Sequence, residues 1–108
     1  HSLVQRYVDQ GILAQHETFG HPESNIVTQN LGNFYEDPVP EIESISPVHH
    51  MLLLFCTDGL TDMIPPLEME QCFRNYTFED LGEQLITRAL GAGGYDNISF
   101  ILCRLLQI

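Results

Sequence analysis

The sequence predicts an α/β fold whose strands are mainly antiparallel. Two apolar segments, 51–56 and 98–106, have the character of central strands, and two helical segments lie between them. The first helix runs from the end of the first strand to the opposite end of the sheet, and the second helix runs back again. The last strand therefore starts at the end of the sheet where the first strand finishes. If the two strands are neighbours, they run antiparallel. The chain has 108 residues, which is room for one small domain.

The N-terminal part is predicted to be short helices and turns. Apolar residues within 2–10 lie on one helical face, with Ser2 as the N-cap and Gly11 just past the end. A second short helix is predicted over 12–19, and 25–31 fits either a strand or a helix. Residues 33–40 contain two prolines and an acidic pair, which is typical of a surface loop. The alternation of polar and apolar residues over 41–45 predicts a half-buried strand.

The C-terminal part carries the clearer patterns. The continuous apolar run 51–56 predicts a strand that is covered on both faces, followed by a turn at 57–59. Pro65 and Pro66 begin a helix that runs to about Phe73, since proline is tolerated in the first turn. Thr77 caps the next helix, which Gly91 ends. Its predicted inward face consists of Phe78, Leu81, Leu85, Ile86, Ala89 and Leu90.

Composition narrows the classes of function. Four Lys and Arg residues against fifteen Asp and Glu give a net charge of -11, which argues against nucleic acid or an anionic membrane surface as a partner. No apolar run approaches the roughly 20 residues of a membrane span, and no signal peptide opens the chain, so membrane insertion is not expected. The three cysteines, Cys56, Cys72 and Cys103, are interpreted as reduced core thiols of a cytoplasmic protein.

Two aspartates are expected to meet at one end of the sheet. Asp58 follows the first central strand and Asp96 precedes the last one, and Gly59 allows a tight turn there. Two neighbouring carboxylates repel each other when both are ionised, unless a cation lies between them. Hard oxygen ligands of this kind suit Mg²⁺ or Mn²⁺. The alternative is that both are ordinary turn residues. Asp62 is either a supporting carboxylate or a solvated one.

Three separated motifs resemble one enzyme family. They are LLLFCTDGLTDMI (52–64), GAGGYDNISFILCRL (91–105) and the opening HSLVQRYVDQGIL…HPESNIVTQNLG (1–32). In this order they resemble the metal-dependent protein phosphatases, the type 2C serine/threonine phosphatases of the bacterial type. The usual family forms are Ser-Asp-Gly-Leu at the first motif and Asp-Asn-Ile/Val-Thr at the second, so Thr57 and Ser99 are small departures.

The resemblance implies a four-layer α-β-β-α sandwich with mainly antiparallel strands. It implies that Asp58 and Asp96 are metal ligands, with Gly59 and Asn97 as supporting residues. The implied cofactors are two Mn²⁺ or Mg²⁺ ions, with a third ion in many bacterial members. A water activated by the two metals would hydrolyse phosphoserine or phosphothreonine in substrates of a serine/threonine kinase.

The resemblance also implies a domain organisation. Residues 1–32 match a flap-like segment, and residues 41–108 match the strands and helices that carry the metal aspartates. The Arg that holds the phosphate and an Asp-Gly segment that bridges the metals precede these motifs in the family and are not in this sequence. We therefore expect the chain to be the C-terminal half of a catalytic domain and to be inactive alone.

Two functions from other classes are also considered. One is a catalytically inert, phosphatase-like interaction module. The other is a haloacid-dehalogenase-like hydrolase, in which a strand ends Asp-x-Asp-Gly-Thr. In this sequence Cys56 stands at the position of its nucleophilic Asp and Leu60 at that of its Thr.

Overall fold

The structure is a computed structural model that describes residues 1–106. Two compact units divide the chain, His1–Ser44 and Ile45–Ile108. Among the described residues, no helix has both the length and the apolar character that crossing a membrane requires.

The first unit is built around helix α1, Leu3–Asp9. Ser2 caps it as predicted, because its hydroxyl accepts a hydrogen bond of 3.1 Å from the Gln5 amide. The ambiguous segment 25–31 is strand-like at one point only, where Val27 forms an antiparallel bridge with Ser2. The predicted helix over 12–19 is reduced to a single 3₁₀ turn, Gln15–Glu17. Since that turn buries no residue, no apolar contact favours a longer helix.

The prediction of a strand over 41–45 is wrong for this structure. Residues 36–48 have no regular secondary structure, in agreement with the predicted loop at 33–40 but not with a strand beyond it. Ile42, expected to be half-buried, is 84% exposed. An alternating pattern becomes a strand only when a neighbouring strand accepts its backbone hydrogen bonds, and none lies beside this segment in the described residues.

The second unit combines a two-stranded sheet with three helices. Strands β1, Leu52–Cys56, and β2, Phe100–Arg104, are antiparallel neighbours, as the sequence predicts. The order along the chain is β1, α2 (Asp58–Thr61), α3 (Pro66–Asn75), α4 (Phe78–Gly91) and β2. Helices α3 and α4 agree with the predicted segments, and the Thr77 hydroxyl caps α4 by accepting from the Asp80 amide. Strand β2 is shorter than the predicted 98–106.

The core lies on one face of this sheet. Its buried residues are Leu60, Ile64, Cys72, Leu81, Leu85 and Ala89. Leu54, Phe100 and Leu102 of the sheet pack against it. On the opposite face Phe55 is 58% exposed and Ile101 is 65% exposed. The prediction that β1 is covered on both faces is therefore wrong for this structure, because the core cluster covers one side.

Three further side chains differ from the predicted core. Ile86 and Leu90 of α4 are exposed, because the buried face of α4 follows the i, i+4 line of Leu81, Leu85 and Ala89. Cys56 is also exposed, at the end of β1. Cys72 is buried as predicted, Cys103 is partly buried, and all three cysteines are free thiols.

Candidate metal centre

The antiparallel pairing brings the two aspartate-bearing segments to one edge of the sheet. The last paired residues are Cys56 and Phe100. Beyond them the Thr57 amide donates a hydrogen bond of 2.9 Å to the Ser99 carbonyl oxygen. Asp58 follows Thr57 at the start of α2, and Asp96 lies in the loop that enters β2. Both aspartates are exposed to solvent.

Gly59 makes a very close backbone contact between these segments. It is buried, and a Cβ atom placed on it would overlap the Asn97 carbonyl oxygen and lie 2.9 Å from the Asn97 carbonyl carbon. Real Cβ atoms essentially never approach a backbone atom so closely. Any side chain at this position would therefore push the loop of Asp96 away from the start of α2.

The Asp96 carboxylate is held by its own loop. Its Oδ1 atom accepts a hydrogen bond of 2.7 Å from the Asn97 amide. This contact fixes one carboxylate oxygen against the backbone and leaves the other oxygen free of hydrogen bonds from the described residues. Asn97 thus contributes through its main chain, with its amide to Asp96 and its carbonyl group against Gly59.

The negative charges of Asp58 and Asp96 affect the pKa of a third carboxylate, that of Asp62. Loss of solvent raises the pKa of Asp62 above its ordinary value, and the negative charges of Asp58 and then Asp96 raise it further. Asp62 lies directly after α2, and its amide donates a hydrogen bond of 2.8 Å to the Asp58 carbonyl oxygen. Asp62 is itself exposed to solvent, so both interpretations, a supporting carboxylate and a solvated one, stay open.

No arginine neutralises these carboxylates in the part of the chain that is described. The ion pairs of the second unit join Arg74 to Glu70, Arg88 to Glu68 and Arg104 to Glu79, and none includes an aspartate. Like charges that lack a basic partner are stabilised by a bound cation.

The donors present fit one side of a site for a hard cation. Asp58 and Asp96 offer carboxylate oxygens at an exposed edge, and Mg²⁺ typically binds one or two protein carboxylates while keeping several waters. Within residues 1–106, however, no group of three or more His, Cys, Asp or Glu side chains is placed to hold a metal ion. The described residues alone would therefore leave such a site incomplete.

Two residues that carry the haloacid-dehalogenase alternative do not suit it. Leu60, at the position of that family's Thr, is fully buried in the core. Cys56 is exposed, but partial loss of solvent around its thiol raises the pKa, which disfavours the thiolate form that a nucleophile requires. Neither residue has the side-chain oxygen, a carboxylate or a hydroxyl, that the motif has at its position.

Sequence reasoning missed one contributor to this edge. The sequence identifies Thr57 only as a departure from the usual Ser, whereas its hydroxyl lies within hydrogen-bond distance of Asn97 and Ser99. One feature of the sequence points to Thr57: it lies directly before Asp58, at the end of a central strand. The short helix α2 was likewise expected to be a plain turn.

Comparisons with known proteins agree with the motif resemblance. The chain is 35% identical over 104 residues to the serine/threonine phosphatase Stp of Listeria monocytogenes, a match that covers 94% of this chain and 40% of that protein. It is 34% identical over 103 residues to the protein phosphatase PhpP of Streptococcus pneumoniae, covering 94% of this chain and 42% of that one. Over 94% of its length the chain is therefore homologous to bacterial proteins named as serine/threonine or protein phosphatases.

The structural comparison extends this homology to the fold. The serine/threonine phosphatase of S. agalactiae superposes with a TM-score of 0.79 at 30% identity, covering 99% of this chain and 44% of that structure. The predicted α/β fold class with antiparallel strands is thereby confirmed. The chain spans about 40% of the length of the curated phosphatases it matches. A scan against models of protein families finds no match.

Proposed function

We propose that this chain provides part of the catalytic site of a metal-dependent protein serine/threonine phosphatase. The observation that supports this most strongly is the close contact of Gly59 with Asn97, which brings the Asp58 and Asp96 segments to one exposed edge. The homologues named serine/threonine phosphatases supply the reaction class, hydrolysis of phosphoserine or phosphothreonine in proteins.

In this proposal Asp58 and Asp96 hold a divalent cation, Mn²⁺ or Mg²⁺. Bound to these two carboxylates, such a cation would supply Lewis acidity towards a coordinated water and a phosphoryl oxygen. The Asn97 amide keeps the Asp96 carboxylate turned in one direction. Gly59 keeps the two segments in contact. The remaining ligands of a centre of two ions, or of three in the bacterial type, lie outside the described set.

The proposal includes the domain organisation expected from the motifs. In this proposal residues 1–32 correspond to a flap-like segment, and residues 41–108 correspond to the part of the domain whose strands and helices carry Asp58 and Asp96. Together they represent the C-terminal half of a type 2C catalytic domain. Its substrates are phosphoproteins made by a serine/threonine kinase, and its compartment is the cytoplasm.

A second candidate function is a catalytically inert, phosphatase-like interaction module. One observation favours it, namely that residues 1–106 contain no group of three ligands arranged for a metal. The exposed pair of aspartates at one edge argues for the enzyme, because an inert module has no need to keep two unpaired carboxylates together.

Phosphatase assays of two proteins separate the candidates. We expect the 108-residue chain alone to be inactive towards a phosphothreonine peptide with Mn²⁺, because a centre of two metals needs ligands from both sides. A chimera in which this chain replaces the matching 104 residues of the Listeria phosphatase should turn over the peptide when Mn²⁺ is added.

Each alternative result has a meaning. A chimera that unfolds cooperatively on heating but shows no turnover would support the inert module. Metal-dependent turnover by the monomeric 108-residue chain would show that the catalytic residues are not where we place them.

A further inference from the structure

The Thr57 side chain connects the two aspartate-bearing segments. Its Oγ1 atom accepts a hydrogen bond of 3.1 Å from the Ser99 amide. The hydroxyl proton faces two carbonyl oxygens, that of Ser99 at 3.3 Å and that of Asn97 at 3.5 Å. One side chain therefore uses both its donor and its acceptor on the residues that follow Asp96.

This arrangement is unusual for the position that Thr57 occupies. Thr57 is the N-cap residue of α2, where a threonine hydroxyl ordinarily accepts from an amide of the first helical turn. Here it makes no such cap and turns towards the other segment. The local helix thus loses a stabilising contact, and the edge between β1 and β2 gains one.

The hydrogen bonds of Thr57 lie just beyond the end of the sheet, next to the two aspartate-bearing segments. The sheet pairing ends at Cys56 and Phe100. In the described residues, every hydrogen bond that joins 57–62 to 95–99 involves Thr57, through its amide or its hydroxyl. Thr57 is covalently attached to Asp58, and Asn97 to Asp96, so these bonds lie close to both aspartates along the chain.

We propose that Thr57 is a positioning residue, whose hydroxyl fixes the Asp96 loop against the start of α2 and so sets the geometry of the two metal-binding carboxylates. The metal-binding part of this inference rests on the proposed function. The positioning part stands on the hydrogen bonds alone, so the two are tested by separate measurements.

The test compares three substitutions in the 108-residue chain. Thr57→Val keeps the shape and removes the hydroxyl, Thr57→Ser keeps the hydroxyl, and Thr87→Val makes the same chemical change at an exposed position of α4. A Cβ atom placed on Gly59 would lie 3.5 Å from the Ile98 amide nitrogen, so these two residues are close in space. Amide hydrogen exchange at Ser99 and the nuclear Overhauser effect between Gly59 and Ile98 report the positioning without any metal. The Mn²⁺ concentration that half-broadens the Asp96 amide signal reports binding.

We expect Thr57→Val to speed Ser99 exchange roughly fivefold, to weaken the Gly59–Ile98 signal and to raise the Mn²⁺ requirement roughly fivefold, as for one lost hydrogen bond. In Thr57→Ser and in Thr87→Val, all three values should equal those of the unsubstituted chain. If Thr57→Val does not fold, Thr57→Ala provides the same comparison.

Equal Ser99 exchange in Thr57→Val and Thr57→Ser would overturn the positioning role. If the unsubstituted chain shows no broadening by Mn²⁺, the metal assignment of the proposed function fails, while the exchange measurement still decides the role of Thr57.

Discussion

Asp58→Asn and Asp96→Asn should each lower the Mn²⁺-dependent turnover of the phosphatase chimera by at least about 100-fold. Even outer-shell changes at metal sites commonly reduce activity 10- to 100-fold, and these substitutions remove ligands. Asparagine keeps the shape of the side chain and removes the charge that holds the cation. The measurement is the rate of phosphate release from a phosphothreonine peptide over a Mn²⁺ titration.

The matched control is Asp37→Asn, which removes the same charge from an exposed loop residue. It should leave turnover within about twofold, as surface substitutions usually do. If either site variant retains turnover close to that of Asp37→Asn at every Mn²⁺ concentration, that aspartate is not a metal ligand.

Gly59→Ala should have the largest effect on the structure of the site. The added methyl would overlap the Asn97 carbonyl group, so either the Asp96 loop or α2 must move. Overpacking of this kind typically lowers the free energy of unfolding by about 1–3 kcal/mol. In the chimera the same substitution should also weaken the dependence of turnover on Mn²⁺, because the two carboxylates separate.

Gly91→Ala provides the control for this substitution. Gly91 ends α4, and a Cβ atom there would meet nothing within 4 Å. Alanine at this helical position should leave stability unchanged or raise it by up to about 1 kcal/mol. Equal free energies of unfolding for Gly59→Ala and Gly91→Ala, measured in urea, would contradict the close contact.

The local patterns of the second unit are well predicted because each depends on neighbours in sequence. Thr77 caps α4, Pro66 begins α3, and two connecting helices are enough to predict that β1 and β2 are antiparallel. The convergence of the Asp58 and Asp96 segments then follows if the one-turn helix α2 is counted with the turn after β1, which leaves α3 and α4 as the two connecting helices. No knowledge of side-chain packing was required.

The errors share a different physical cause. Whether residues 41–45 form a strand, or whether the face of Phe55 and Ile101 is covered, depends on which other backbone or side chains lie beside them. The pattern of apolar residues in a segment is the same whether or not another strand or helix covers it. The Thr57 contact was missed for a related reason, since its partner is 42 residues away along the chain.

The central claim is that Asp58 and Asp96 jointly bind a divalent cation. The most direct measurement is paramagnetic broadening of amide signals by substoichiometric Mn²⁺ in the 108-residue chain. We predict that broadening begins together at 57–62 and 95–98 and is lost from both segments in Asp96→Asn. Broadening that begins instead in the acidic loop 36–43, or that persists at 57–62 after Asp96→Asn, would contradict the claim.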